Sequence, residues 1–427
     1  MEKLVAPFLE EDEYLYMTPQ GLQRFGQIYD PKEPLKHILW TDDYTVELPI
    51  KMKKSGPGNI TSYCCCMRLT VAILGSEMPL TLIDALDTTH KKYKTRSALR
   101  CKRDGKYINW TYDQFYQDVQ KFAKGLIELN IQPGKALNII GYNAPEWIIA
   151  FYGGIYSSVL PVGVYTTNNA EACQYVAEHS EAEIVLAENK EQLQKYLQVW
   201  DRLPQLKYVV LYGEPVPSDL PPEFKDKVMT YKKLLELGEN HKAPNFENSL
   251  EYRISLQTPG KCCTLVYTSG TTGPPKGVML SHDNYVWTSQ MVIASVKRHP
   301  DEPERLVSYL PLSHVASQIT DMVGSVIIGA EITFADSTAL QGSLVEYLKD
   351  TRPTGFLAVP RVWEKIEEKI KAVAANNGSV KKSIGNLILP KCVSKLILTF
   401  KQTGPKISEK EAQFPKFEGK SFPSVLD

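Results

Sequence analysis

A short segment of the chain concentrates residue types that bind phosphate. Residues 267–282 read YTSGTTGPPKGVMLSH and contain four hydroxyl side chains between Thr268 and Thr272, three glycines and Lys276. The apolar run 262–266 before it is typical of a buried strand, and a helical pattern follows from about Asp283. Glycines let backbone N–H groups approach an anion, hydroxyls add donors, and lysine adds a positive charge. The pattern predicts a phosphate-binding loop between a strand and a helix.

Two other interpretations of this segment fit less well. A Walker A loop needs glycine, four residues and then Gly-Lys-Ser/Thr, but counting from Gly270 places Pro275 where the second glycine belongs. An ordinary surface loop would explain the glycines and threonines but not Pro-Pro-Lys-Gly between a strand and a helix. The predicted phosphate-binding residues are Thr268, Ser269, Gly270, Thr271, Thr272, Gly273, Pro274, Pro275 and Lys276.

The segment TSGTTGPPKG resembles the signature loop of the adenylate-forming enzymes, which include acyl-CoA synthetases, luciferases and peptide-synthetase adenylation domains. Other segments are similar to the bubblegum-type long-chain fatty-acid CoA ligases. These are GYNAPEW at 141–147, YTTN with EACQYVAE within 165–178, SYLPLSH at 308–314 and VPRVWEK at 359–365. The loop is specific to the superfamily, whereas the combination of segments indicates the bubblegum branch.

The resemblance implies an ATP-dependent reaction in which a fatty-acid carboxylate attacks the α-phosphorus and displaces pyrophosphate. The acyl group of the resulting acyl-adenylate is then transferred to CoA, and AMP is released. It implies that the loop holds the β- and γ-phosphates and that Lys276 neutralises charge on the leaving pyrophosphate. His314 would lie beside the α-phosphate and donate a hydrogen bond to developing negative charge. ATP, Mg²⁺ and the co-substrate CoA are the expected cofactors. The magnesium ligand is unknown, although Thr268 could supply one hydroxyl.

Other conspicuous side chains have structural interpretations. We expect His282 to begin a helix behind the loop, and we expect Tyr267 and Trp287 to lie in the core. Trp147 is predicted to be a packing anchor at a helix start, with Pro145 at an early helical position. For Arg361 and Trp363, a place in the site and a structural role remain equal alternatives.

Helical and strand patterns alternate from about residue 110 to 375, which predicts an α/β fold with mainly parallel sheets covered by helices. The predicted strands include 355–359, and residues 214–260 are predicted to be a connection with one short helix. The expected domains are an N-terminal extension, 1–79, an incomplete AMP-binding (adenylation) domain, 80–378, and a disordered tail outside the family pattern, 379–427.

Residues 280–427 contain neither an aromatic-Gly-x-Thr/Ser-Glu segment nor Ser/Thr-Gly-Asp. The resemblance implies that these segments bind adenine, magnesium and ribose ahead of a C-terminal lid domain, so the expectation is a truncated ligase without its lid. Three functions therefore stay open. They are long-chain or very-long-chain fatty acid activation, an inactive nucleotide-binding isoform that acts as an interaction module, and adenylation of another carboxylic acid.

The composition favours a cytoplasmic protein. Lys+Arg and Asp+Glu both number 49, so no net charge draws the chain to nucleic acid or anionic membranes. None of the eight cysteines has paired CxxC spacing, and the acidic start MEKLVAPFLEEDE lacks the regions of a signal peptide. No run of eighteen apolar residues occurs, so no transmembrane segment is predicted. Any contact with intracellular membranes is expected to be peripheral.

Overall fold

The computed structural model describes residues 79–268, 274–296 and 303–375 and a short antiparallel strand pair, β1 (Leu9–Glu10) and β2 (Tyr14–Leu15). Nearly all of the predicted extension and the whole predicted tail lie outside the described residues. The later strands are β3 (Ser97–Arg103), β4 (Lys106–Thr111), β5 (Ala136–Ile140), β6 (Leu160–Val164), β7 (Ala182–Ala187), β8 (Tyr208–Leu211), β9 (Val228–Thr230), β10 (Cys262–Thr268), β11 (Lys276–Ser281), β12 (Arg305–Ser308) and β13 (Glu331–Phe334).

Helices lie between most of these strands. They are α1 (Leu82–Tyr93), α2 (Tyr112–Glu128), α3 (Pro145–Tyr156), α4 (Ala170–His179), α5 (Lys190–Leu197), α6 (Tyr231–Asn240), α7 (Leu250–Ser255), α8 (His282–Ser295), α9 (Val315–Ser317), α10 (Ser325–Ile328), α11 (Leu344–Thr351) and α12 (Pro360–Ala375). A π-helical segment, Gln318–Gly324, joins α9 to α10. Among the described helices, none combines the length and apolar character needed to cross a bilayer.

The larger sheet has seven strands within the described ranges, in the order β11-β10-β6-β5-β7-β8-β9. All neighbours pair in parallel except β10 and β11, which form an antiparallel hairpin. Every residue of β5 and β7 is buried, as expected for central strands covered on both faces. The predicted α/β architecture with mainly parallel sheets is confirmed.

Within the described residues, the smaller sheet has the strand order β12-β13-β3-β4. Strands β12, β13 and β3 are parallel, and β4 is antiparallel to β3. The β3–β4 hairpin was not predicted. Its turn is Asp104-Gly105, with φ of 50° and 75°. Asp-Gly is a preferred pair for a two-residue hairpin whose central residues both have positive φ, so the sequence did carry a signal for it.

Helix α2 buries one apolar face in the core of the fold. Thr111 Oγ1 accepts from the Gln114 N–H (3.2 Å) while Gln114 Oε1 accepts from the Thr111 N–H (2.9 Å), a capping box that fixes where the helix begins. Its predicted apolar face is confirmed as buried, and each such side chain contributes about 1.5–3 kcal/mol. The residues are Phe115, Val119, Phe122, Leu126 and Ile127.

Three predictions of secondary structure or burial were wrong. Residues 355–359 are irregular rather than a strand, although part of the run is packed: the Phe356 ring stacks on Tyr309 at 5.4 Å between centroids. The segment 214–260 contains β9, α6 and α7 rather than one short helix. Trp287 lies on α8 with 36% of its surface exposed, since the core-facing side of that helix is occupied by Tyr285 and Val286.

Candidate nucleotide and acyl site

The predicted phosphate loop connects the two strands of the β10–β11 hairpin. Thr268 ends β10, Lys276 begins β11, and the two residues are directly opposite each other in the ladder. Directly opposite residues of an antiparallel pair point to the same face, with Cβ atoms about 4.5–5.5 Å apart. Both side chains are exposed. Residues Ser269–Gly273 lie outside the described residues.

This hairpin corrects the predicted order of strand, loop and helix. Residues 276–281 form an antiparallel strand, and the helix begins only at His282. Pairing with β10 stabilises residues 276–281 as a strand through backbone hydrogen bonds that the local sequence does not reveal. The anion-binding character of a helix N-terminus therefore does not contribute at Lys276, and its ammonium group is held by a sheet instead.

Helix α4 supports the second half of the loop. The Tyr175 hydroxyl donates to the Pro275 carbonyl (2.9 Å), and the Tyr175 ring stacks on His179 with 5.5 Å between centroids. His179 Nδ1 is 2.7 Å from the Tyr267 hydroxyl. Tyr267 is 5% exposed, as predicted for a core residue, and burial raises the pKa of its hydroxyl. Helix α4 is thus hydrogen-bonded to the β10–β11 hairpin at Pro275, one residue before Lys276.

The segment that carries His314 lies against the same sheet. A Cβ added to Gly163 of β6 would be 2.7 Å from Ser313 Cα, so the two backbones are in close contact there. Gly163 is paired with Val266, two residues before Thr268. Since β5, β6 and β10 are parallel, their carboxyl ends share one edge, the usual ligand edge of such sheets. The structure therefore brings the end of β10 and the His314 segment to neighbouring positions.

His314 is exposed, and one of its two ring nitrogens, Nδ1, makes a hydrogen bond. Its Nδ1 accepts from the Ala316 N–H (3.2 Å) at the start of α9. A neutral imidazole that accepts at Nδ1 carries its proton on Nε2. His314 can therefore donate a hydrogen bond from Nε2, the role that the sequence resemblance implied.

Asn143 is a site residue that the sequence reasoning missed. Its Nδ2 donates to Ser308 Oγ (2.9 Å) and to the Leu310 carbonyl (2.8 Å), and its Oδ1 accepts from the Leu312 N–H (3.2 Å). Asn143 follows β5, so these bonds attach the segment 308–312 to the larger sheet. The GYNAPEW segment was the available signal, but the asparagine within it looked like an ordinary loop residue.

The other conspicuous side chains of the sequence have the following surroundings. His282 is the first residue of α8, as predicted. It is fully buried, and burial lowers its pKa to about 4. Trp147 is 1% exposed on α3, and Pro145 begins that helix. Arg361 is exposed and pairs with Glu364 (3.2 Å), while Trp363 packs edge-on against Phe356.

A polar cleft of about 530 Å³ opens where loops follow β5, β6 and β7. Its lining offers amide, hydroxyl and ammonium groups: Tyr142, Thr166, Thr167, Asn168, Asn169, Asn189, Glu191, Gln192 and Lys195. Among the side chains that the structure describes, no three His, Cys, Asp or Glu residues form a group that could hold a metal ion.

The AMP-binding enzyme family matches residues 86–408. The chain belongs to this family. It is 42% identical to the long-chain-fatty-acid–CoA ligase ACSBG2 of Xenopus laevis over 320 residues and to ACSBG1 of Bos taurus over 357 residues, 74% and 82% of this chain. The predicted resemblance to bubblegum-type ligases is confirmed. These alignments cover 42% and 47% of the relatives, so the chain spans less than half of their length.

Solved structures of the AMP-binding type share its fold. One is the adenylation domain of the carboxylic acid reductase from Segniliparus rugosus in complex with AMP and a co-purified carboxylic acid (19% identity, TM-score 0.58, 72% of this chain and 54% of that chain). Another is the anthranilate CoA ligase AuaEII in complex with anthranoyl-AMP (18% identity, TM-score 0.56, 69% and 52%). At these identities the similarity establishes the fold alone.

Proposed function

We propose that this protein takes part in ATP-dependent activation of long-chain fatty acids to acyl-CoA through an acyl-adenylate. The observation that carries the proposal is the placement of Thr268 and Lys276 on one face of a hairpin beside the His314 segment. The long-chain-fatty-acid–CoA ligases among its relatives supply the substrate class. The partners are then a fatty acid, ATP and CoA, in the cytoplasm or peripherally on intracellular membranes.

The hairpin would bind the phosphates of ATP. The exposed ammonium of Lys276 and the hydroxyl of Thr268 face the same side, so both can contact one triphosphate. The loop residues Ser269–Gly273 would add backbone and hydroxyl donors. Magnesium bound with ATP would neutralise phosphate charge, and Thr268 could supply one hydroxyl to it. Lys276 would stabilise the charge that collects on pyrophosphate as it leaves.

His314 would act on the other side of the α-phosphate. A hydrogen bond from Nε2 stabilises negative charge on the oxygens of the reacting carboxylate and phosphate as the acyl-adenylate forms. The bond from Ala316 fixes the imidazole tautomer for this purpose. We also propose that residues 80–378 form the adenylation domain that holds these groups.

The test compares purified parent chain, Lys276→Ala and the control Lys106→Ala for pyrophosphate release and acyl-CoA formation from ATP, palmitate and CoA. Lys106 is a matched control because it is also exposed and also begins the second strand of a hairpin. Loss of one charge-stabilising group lowers the rate by ~10²–10³, so we expect that loss in Lys276→Ala only. Equal rates in all three proteins would refute the proposed role of Lys276.

ATP-dependent thermal stabilisation separates binding from turnover. Stabilisation by ATP that disappears in Lys276→Ala, without acyl-CoA formation, would show a nucleotide-binding protein that does not catalyse the reaction. Absence of both signals in the parent chain would contradict the proposed function.

A further inference from the structure

His314 ends a tight turn, residues 311–314, whose backbone is held by hydrogen bonds from two sides. The His314 N–H donates to the Pro311 carbonyl (3.0 Å), and the His314 carbonyl accepts from the Gln318 N–H (3.1 Å). Inside the turn, the Leu312 N–H donates to Asn143 Oδ1 (3.2 Å), and the Leu312 carbonyl accepts from Gln318 Nε2 (2.9 Å). Gln318 therefore bonds two carbonyls of the turn, one through its backbone and one through its side chain.

The orientation of the Gln318 amide follows from its two partners. A carbonyl oxygen can only accept a hydrogen bond, so the end of the amide that faces Leu312 must be the NH₂ group. The amide oxygen then faces the Tyr285 hydroxyl, which donates to it. Gln318 is completely buried and Tyr285 is almost completely buried, so bulk water does not compete for either bond.

Tyr285 connects this turn to the β10–β11 hairpin. It lies in the first turn of α8, which begins directly after β11 ends at Ser281. One helical turn further along α8, Ser289 Oγ donates to the Ile319 carbonyl (3.0 Å), and Ser289 is also completely buried. Residues four apart lie on the same face of a helix. One face of α8 therefore holds the segment that follows His314 at two successive positions.

The two side-chain bonds at Leu312 have different consequences for His314. A peptide group is planar and rotates as a unit. Asn143 holds the peptide group before Leu312, and Gln318 holds the one after it, which leads towards His314. Loss of the Gln318 bond would therefore release the peptide group nearer to His314, while Asn143 still attached the turn to the larger sheet.

We propose that Gln318 is a positioning residue for His314 and that Tyr285 orients the Gln318 amide for this role. The pair fixes the turn that carries His314 relative to α8, and therefore relative to the β10–β11 hairpin that leads into this helix. The consequence for catalysis rests on the function proposed for His314, whereas the effect on the turn does not.

Hydrogen exchange at the His314 amide measures how firmly the turn is held. Ser–His pairs occur at 281–282 and 313–314, so labelling serine carbonyl carbon and histidine nitrogen selects two amide signals in the whole chain. Ser313→Ala removes the His314 signal and so identifies it. In Gln318→Met the His314 amide should exchange about fivefold faster, because opening the turn no longer breaks the bond to the Leu312 carbonyl. The His282 amide, which donates to a different carbonyl (3.2 Å), should keep its parent rate.

Tyr285→Phe removes a single oxygen atom and keeps the test decisive if Gln318→Met does not fold. Exchange at His314 should be faster in this variant as well, because the Gln318 amide loses the partner that orients it. Tyr156→Phe is the matched control, since Tyr156 is also fully buried and its hydroxyl also donates to a side-chain oxygen, on α1. An unchanged His314 rate in either folded variant, or an equal increase at His314 and His282, would overturn the proposal.

The rate of pyrophosphate release provides the functional test. Gln318→Met should lower kcat by roughly 10- to 100-fold, with KM for ATP unchanged, because Lys276 is not displaced. Introduced into His314→Ala, the same change should lower kcat by less than about twofold, because Gln318 acts through a side chain that is then absent. An equal loss in both backgrounds would show a merely structural role and count against the proposal. Inactivity of the parent chain would refute the proposed function alone, and exchange at His314 would still decide the role of Gln318.

Discussion

Replacing His282 should change how the stability of this protein depends on pH. His282 Nδ1 accepts from the Leu82 N–H (3.1 Å) and its Nε2 bonds Gln257 Oε1 (2.9 Å), so the neutral ring joins three separate parts of the chain. Burial lowers its pKa from 6.5 to about 4. Below pH 6.5 the His282 imidazole is protonated in the unfolded chain but stays neutral in the folded chain. Folding therefore becomes less favourable as the pH falls towards 4.

The size of this effect follows from the two pKa values. For each pH unit below 6.5, the free energy of unfolding falls by about 1.4 kcal/mol because of His282. The decrease is about 2 kcal/mol at pH 5 and approaches about 3 kcal/mol near pH 4. In His282→Asn the amide oxygen can still accept from Leu82, but the ring that titrates is gone. The variant should be less stable than the parent by about 1–3 kcal/mol at pH 7.5, because Gln257 loses its partner.

Urea unfolding at pH 7.5, 6.0 and 5.0 measures both quantities. The stability deficit of His282→Asn relative to the parent should shrink by about 2 kcal/mol between pH 7.5 and 5.0. Taking the difference between the two proteins removes the contributions of the other titrating groups. His314→Asn, an exposed imidazole at the start of another helix, is the matched control and should follow the parent. A constant deficit across this range would refute the argument.

Two further predictions concern the loop supports. Tyr175→Phe removes the bond to the Pro275 carbonyl, worth about 1 kcal/mol, so KM for ATP should rise about fivefold while urea unfolding changes little. An unchanged KM would show that α4 does not position the loop. Gly163→Ala places a Cβ against the Ser313 backbone and should lower kcat while ATP-dependent thermal stabilisation is retained. Gly260→Ala, where a Cβ meets no atom within 4 Å, is the control, and equal kcat in both alanine variants would contradict the close approach.

Local patterns were sufficient to predict much of the fold. The capping box at Thr111, the apolar face of α2 and the alternation of buried strands with helices depend on residues close together in the sequence. Strand β11 was missed because its stability comes from pairing with β10. The exposure of Trp287 was missed for a related reason, since composition alone does not reveal which side of α8 meets the core.

The candidate site divides in the same way. Lys276 and His314 belong to recognisable motifs, and they could be proposed from the sequence. Asn143 could not, because its partners Ser308, Leu310 and Leu312 lie 165 to 169 residues away along the chain. Long-range contacts, rather than residue type, define this position.

The register of the hairpin determines which changes in length this site can tolerate. Alternate residues of a strand face opposite sides, so shifting β11 by one position relative to β10 would turn Lys276 away from Thr268. An insertion within residues 269–275 would leave the alignment of the two strands unchanged, because the pairs Tyr267–Gly277 and Val266–Val278 maintain it. A deletion within 277–281 shifts that alignment. A change in loop length should therefore disturb the proposed phosphate donors alone, whereas a change in strand length should also disturb the pairing of the two strands.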